Sequence, residues 1–246
     1  MATLLLRLAG PLQSWGSPCH FTTRRTFSEP TKSGVIGMIA SAMGIQREDA
    51  DSINALTKLR FGVRVDREGK LLVDFHTLRL PKKPAEEKDP DLNPELDPIY
   101  LSYTDWNSWP TQVTRRHYLQ DAVFLAGIES DDTDLLSKIA EALKAPAHPL
   151  FLGRRSCPPS LPPYIGIRDT DLRTTLEEES VLCKTDMDKL RIMVDTDADD
   201  PNGGSQKDIP ISFDPRHREY GYRAVRQYTI PAPYEPEKAT ESDIED

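Results

Sequence analysis

Along this chain the spacing of hydrophobic positions changes several times, and each change marks an element. Thr3 to Leu8 is apolar almost throughout, which predicts a buried first strand ended by Gly10-Pro11. LQSWGSPCHF at 12–21 follows as a loop, and Trp15 between polar neighbours reads as exposed. After Pro30 the residues from Val35 to Met43 are apolar or small, which predicts a buried helix capped by Thr31 or Ser33. A second helix begins at Asp49, Asp51 or Ser52 and carries Ile53, Leu56 and Leu59 at helical spacing. LRFGVRV at 59–65 and KLLVDFHTLRL at 70–80 read as two strands, and the short Asp66–Gly69 turn predicts a hairpin between them. YLQDAVFLAGIE at 118–129 reads as one further strand. Asp131–Ala145 then reads as an amphipathic helix with Leu135, Leu136, Ile139, Ala140 and Leu143 on one face.

With a closing strand near His148–Leu152, the order is βαββαβ, the pattern of a ferredoxin-like or RRM-like α+β core. A long insertion at 81–117 interrupts its middle strands. Its first half, PKKPAEEKDPDLNPELDP, is too rich in proline and charge to build a core. Past the core, Leu190–Val194, Ile211–Phe213 and residues 218–230 read as strands of a second, smaller sheet. The expected organisation is therefore a domain over 1–168, a small β-rich region over 169–230, and an acidic, disordered tail over 231–246.

Charge changes the picture more than composition does. The net charge of -9 argues at first sight against a polyanionic partner. Residues 1–80, however, hold 11 Lys+Arg against 7 Asp+Glu, while residues 169–246 hold 10 against 20. The acidity is thus local, and polyanion binding needs a basic face rather than a basic average. Three cysteines, widely spaced and without a CxxC pair, predict neither a disulfide framework nor a zinc site, and fit a reducing cytoplasm. The opening MATLLLRLAG is interrupted by Arg7 and reads as neither leader nor anchor, so no membrane is expected.

The sequence lacks the common nucleotide, zinc-protease and hydrolase motifs, and no cofactor or metal is expected. The acidic run DTDADDPNGGSQ has Asp200 where a calcium loop needs glycine and Gln206 where it needs glutamate. Two features suit phosphate instead. Arg24 and Arg25 precede a helix start that carries Lys32 and Ser33, and free N–H groups there attract anions. Gly153-Arg154-Arg155-Ser156 offers close backbone approach, two guanidinium forks and a hydroxyl. Tyr100, Tyr103, Trp106 and Trp109 in the insertion could stack on bases or dock on a protein. His117, beside Arg115 and Arg116, is the histidine best set for chemistry. With Arg116 and Tyr103 it could serve as general base in metal-independent RNA cleavage.

Four blocks together carry a family resemblance: LLLRLAGPLQSWG at 4–16, PTKSGVIGMIASAMGIQRED at 30–49, YLQDAVF at 118–124 and PLFLGRRSCPPS at 149–160. They resemble the CasD-type subunits of Cascade, the type I-E CRISPR surveillance complex. The resemblance implies an RRM-like core with an extended β-hairpin thumb, here the 81–117 insertion. It also implies a non-catalytic subunit that grips the five-prime handle of the CRISPR RNA and caps the backbone filament. Its partners would be the adjacent backbone subunit, the large subunit and, through the complex, target DNA. A relative that cuts RNA uses a Tyr and a Lys-His pair; Arg116-His117 stands in the corresponding-looking place, and arginine is a poor proton donor. On this reading Arg24, Arg25, Lys32, Ser33, Arg154 and Arg155 face RNA phosphates, with Arg115 and His117 nearby.

Overall fold

The computed structural model describes residues 1–16, 22–79, 111–184, 187–214 and 216–232. The chain order is β1 (Ala2–Ala9), β2 (Leu12–Gln13), β3 (Trp15–Gly16), β4 (Thr23–Arg24), β5 (Thr26–Phe27), α1 (Lys32–Met43), α2 (Ala50–Thr57), β6 (Arg60–Arg67) and β7 (Lys70–Arg79). It continues with β8 (Thr111–Gln120), β9 (Val123–Ser130), α3 (Thr133–Lys144), β10 (Tyr164–Arg168), α4 (Leu172–Glu178), β11 (Lys189–Asp195), β12 (Gly203–Ser212) and β13 (Glu219–Pro231). The fold is mixed α+β, and the sheets are mostly antiparallel. No helix among the described residues is long and apolar enough to cross a membrane.

Seven strands form the main sheet in the order β10-β1-β9-β6-β11-β13-β12, all paired antiparallel. Successive side chains on a strand face opposite ways, so β1 serves two cores. Leu4, Leu6 and Leu8 join the larger one, with Ile36 and Ile39 of α1 and Leu136 and Ile139 of α3. Leu5 joins a smaller one with Leu125 of β9, Leu172 and Leu176 of α4, and Ile192 of β11. On that second face Gly62 and Gly127 sit opposite each other on β6 and β9. A Cβ at Gly62 would lie 2.8 Å from Leu176 Cδ1, and one at Gly127 2.6 Å from Leu172 Cδ1. The paired glycines let α4 lie directly on the sheet.

Several sequence expectations hold at the helix ends. Thr31 caps α1, its Oγ1 accepting from the Gly34 N–H at 3.2 Å. Asp49 caps α2 through the Ser52 N–H at 3.1 Å.

Other expectations are corrected. The apolar run at 118–129 is two strands, because Asp121 takes a left-handed conformation (φ 57°) that breaks it. The expected hairpin of residues 59–65 with 70–80 does not form: β6 stays in the main sheet, and β7 pairs with β8 from Lys70↔Gln120 to Arg79↔Thr111. The closing strand is Tyr164–Arg168, not His148–Leu152. The Leu152 N–H turns back to the Cys157 carbonyl at 2.7 Å, a local bond that leaves this apolar stretch as loop. Strands β11, β12 and β13 extend the main sheet through the β6–β11 pairing instead of building a separate one. Trp15 is fully buried: its ring lies against Gly34 of α1, and its indole N–H donates to Gln13 Oε1 at 3.2 Å.

Candidate nucleic-acid interface

Three distant segments meet at β8. Along one edge it carries β7; along the other it takes β2 antiparallel and β4 parallel. Pairing with β4 sets Thr23 against Arg115 and Arg24 against Arg116, and the Arg115 N–H donates to the Thr22 carbonyl at 2.8 Å. Alternation along β8 then separates its side chains. Arg115 and His117 share a face with the registered partners Phe75 and Val73, and the Arg115 guanidinium lies 5.5 Å over the Phe75 ring. Leu71, Val73 and Phe75 are all exposed, so this face combines apolar surface with positive charge.

The third segment is the loop from Pro146 to Pro163. Its direction is set at Gly153, whose φ of 86° is left-handed and whose missing Cβ would lie 1.9 Å from the Ser14 carbonyl oxygen. Arg154 then points back into the protein. Its Nη2 donates to the Arg24 carbonyl at 3.0 Å and its Nη1 to the His117 carbonyl at 3.3 Å. Its guanidinium also stacks 4.9 Å over the Tyr118 ring. Ser14 adds a hydroxyl bond to the same His117 carbonyl at 3.0 Å. The next two residues, Arg155 and Ser156, are exposed.

The outcome is a junction that presents Arg24, Arg25, Arg115 and Arg155 to solvent, none of them in an ion pair among the described residues. From Gly153 and Arg155 a groove of about 830 Å³ runs along α1, past Ser33, Gly37 and Met38, to Phe213, Arg218 and Tyr220. Arg47 and His148 also line it. Its walls thus combine aromatic rings with three arginines, the combination that stacks unpaired bases and holds phosphates.

Lys32 is corrected. It is 4% exposed, and its Nζ pairs with Asp195 Oδ2 at 2.9 Å. Its backbone N–H, at the start of α1, donates to Asp208 Oδ2 at 2.8 Å. Arg223 binds both acids, forking onto Asp208 at 2.6 and 3.0 Å and reaching Asp195 with Nη1. Burial opposes the Arg223 charge, but the two carboxylates outweigh it and hold its pKa above the ordinary arginine value. The positive end of α1 is therefore neutralised by a carboxylate of this chain, and a phosphate is not needed there. Ser33, one residue on, is half-buried and lines the groove.

Of the groups named for cleavage, Arg116 and His117 are neighbours on β8 whose side chains alternate to opposite faces. His117 Nδ1 lies 3.3 Å from the Arg24 carbonyl oxygen. Arg116 is half-buried, with its Nε buried and without a hydrogen-bond partner among the described residues. Tyr103 lies outside the described residues, as do Tyr100, Trp106 and Trp109. Burial pushes the Cys157 thiol up, with Ser156 and Arg154 acting against it.

A family model described as "CRISPR-associated protein (Cas_Cas5)" matches residues 3–226, nearly the whole chain. This chain belongs to that family. It is 36% identical over 166 residues to the "CRISPR system Cascade subunit CasD" of Escherichia coli (strain K12), covering 66% of this chain and 70% of that protein. Among solved structures it is similar to a "Crystal structure of Cas protein", with a TM-score of 0.68 and 35% identity over 95% of this chain and 99% of that one. A chain of a "CRISPR RNA-guided surveillance complex" superposes with a TM-score of 0.71 at 33% identity, covering 94% and 91%. The matched span, residues 3–226, contains β6, β9 and β11 as well as the four blocks that carry the resemblance in sequence.

Sequence reasoning missed Arg47, Arg218 and Tyr220 at the groove, and the Asp195–Asp208–Arg223 group behind α1. A weak signal existed for Tyr220, in the aromatic alternation REYGYR. None existed for the acids, whose partner Lys32 is 163 or more residues away.

Proposed function

We propose that this chain is the subunit of a CRISPR RNA-guided surveillance complex that holds the five-prime handle of the CRISPR RNA and caps the backbone filament, without cutting RNA. The observation that carries the proposal is the exposure of Arg24, Arg25, Arg115 and Arg155 on three segments that meet at β8, with Arg155 lining an aromatic groove, in a chain whose net charge is -9. Family membership and the Cascade relative agree with it. The order β10-β1-β9-β6, with α1 following β1 and α3 following β9, supports reading residues 1–168 as a ferredoxin-like, RRM-like RNA-binding domain. The β7–β8 pair supports reading these two strands as the described part of a thumb hairpin. Residues 169–230 then form the β-rich region joined to it, and 231–246 the acidic tail. Exposed Leu71, Val73 and Phe75 on the hairpin suit contact with the adjacent backbone subunit or the large subunit. Target DNA is read by the guide and reached through the complex, which this reading places in the cytoplasm.

Reconstitution tests the proposal. A complex assembled with this subunit is expected to shield the five-prime end of its CRISPR RNA from a five-prime exonuclease, and one assembled without it to leave that end open. Equal digestion of both would overturn the handle assignment. The purified chain, incubated with repeat RNA in EDTA, is expected to leave it intact; a product lost in His117→Ala would establish cleavage instead.

A further inference from the structure

We infer that Arg154 is a positioning residue for the RNA-facing arginines and not itself a phosphate ligand. The inference rests on the RNA-binding reading above and assigns the two adjacent arginines opposite jobs. Arg154 is half-buried and directs both terminal nitrogens at backbone carbonyls, one on Arg24 and one on His117. Those two carbonyls belong to β4 and β8, the strands that carry Arg24, Arg115 and, one residue on, Arg25. A planar guanidinium is suited to bridging them, because it spans two acceptors and stacks its face on Tyr118 at the same time. Arg155, by contrast, is exposed and makes no hydrogen bond or ion pair among the described residues. It is free to meet a phosphate as a simple positive charge.

The fork also accounts for the shape of the loop. Gly153 brings the backbone onto the Ser14 carbonyl, and the Cys157 N–H closes onto the Arg154 carbonyl at 2.9 Å. Arg154 is thereby held from both sides, and Arg155 projects outward from a fixed turn. Removing the fork frees β4 from the loop while leaving every phosphate-facing cation in the chain.

The two jobs leave different signatures in binding of handle RNA to the full chain, measured over a range of salt concentrations. Arg155→Ala is expected to flatten the slope of log affinity against log salt by about 0.7, the loss of one single-strand phosphate contact. Arg154→Ala is expected to keep the wild-type slope while weakening binding about tenfold, the order of one charge-assisted hydrogen bond. Lysine at each position separates the jobs further. Arg155→Lys is expected to restore most of the affinity, since a point charge suffices, whereas Arg154→Lys is expected to bind as poorly as the alanine variant.

A readout without RNA keeps the inference independent of the function. Amide exchange at Arg115, whose N–H bonds to Thr22, is expected to speed up in Arg154→Ala and Arg154→Lys and to stay at the wild-type rate in Arg155→Ala. A flattened slope in Arg154→Ala, rescue by Arg154→Lys, or unchanged Arg115 exchange would overturn the positioning role. If wild type binds no handle RNA, the RNA reading fails, and the Arg115 exchange rates alone decide whether Arg154 holds the junction.

Discussion

Asp208 is the side chain on which the front and back halves of the sequence meet. It is 1% exposed, accepts the first N–H of α1 and takes the fork of Arg223. Removing one partner of a buried ion pair leaves the other charge uncompensated, at a cost of about 3–5 kcal/mol. Asp208→Ala is therefore expected to lower unfolding free energy by about that much in urea denaturation. A change under about 0.5 kcal/mol, the usual size at unremarkable surface sites, would contradict the reading. At Gly153 the cost is one of shape. Gly153→Ala must place a Cβ on the Ser14 carbonyl at a left-handed φ, so it is expected to destabilise the chain by more than about 1 kcal/mol and to weaken RNA binding. In sequence Gly153 reads as close backbone approach to a ligand; the close approach found is to the Ser14 carbonyl of the chain itself. Burial of Trp15 was not legible: its neighbours are polar, and only the tertiary approach of α1 buries it.

At the scale of elements, α4 shows how packing decides what periodicity leaves open. It has seven residues, too few for a clear helical pattern, and its place depends on the Gly62–Gly127 gap in the sheet. Gly127→Ala is expected to cost about 1–3 kcal/mol, the range for overpacked cores, and to raise exchange of the α4 amides first. Tyr228 ties the outer side of α4 to β13, donating its hydroxyl to Glu177 Oε1 at 2.7 Å. Burial first, and then Glu177, pushes its pKa up to about 12. A phenol whose folded pKa is raised stabilises fully below its unfolded pKa of about 10, and that contribution fades as pH rises towards 12. Ultraviolet titration is expected to show a phenol ionising near 12 that is absent in Tyr228→Phe. The strands around Asp121 and Leu152 were misread for a related reason. Apolar runs signal burial but carry no sign of where a chain turns or which strand it pairs with.

For the whole molecule the decisive property is segregation. Acidic residues concentrate in 169–246, and two of them, Asp195 and Asp208, are spent inside on Lys32 and Arg223. Arginines 24, 25, 115 and 155 are each exposed on segments that meet at β8, with Arg24 on the Arg116 side of the sheet and Arg115 on the other. The α+β class and most core elements were legible from the order of apolar patterns. The continuous seven-stranded sheet was not, since its joining step, β6 against β11, links residues more than 120 positions apart. The sequence also placed a phosphate at the start of α1, where the folded chain supplies its own carboxylate. What remains of the basic site is the arginine junction, and one titration tests it. Handle-RNA binding by Arg24→Ala/Arg25→Ala/Arg155→Ala should show a salt slope flatter than wild type by about 2, three single-strand contacts at about 0.7 each. A triple variant with wild-type affinity and wild-type slope would contradict the account.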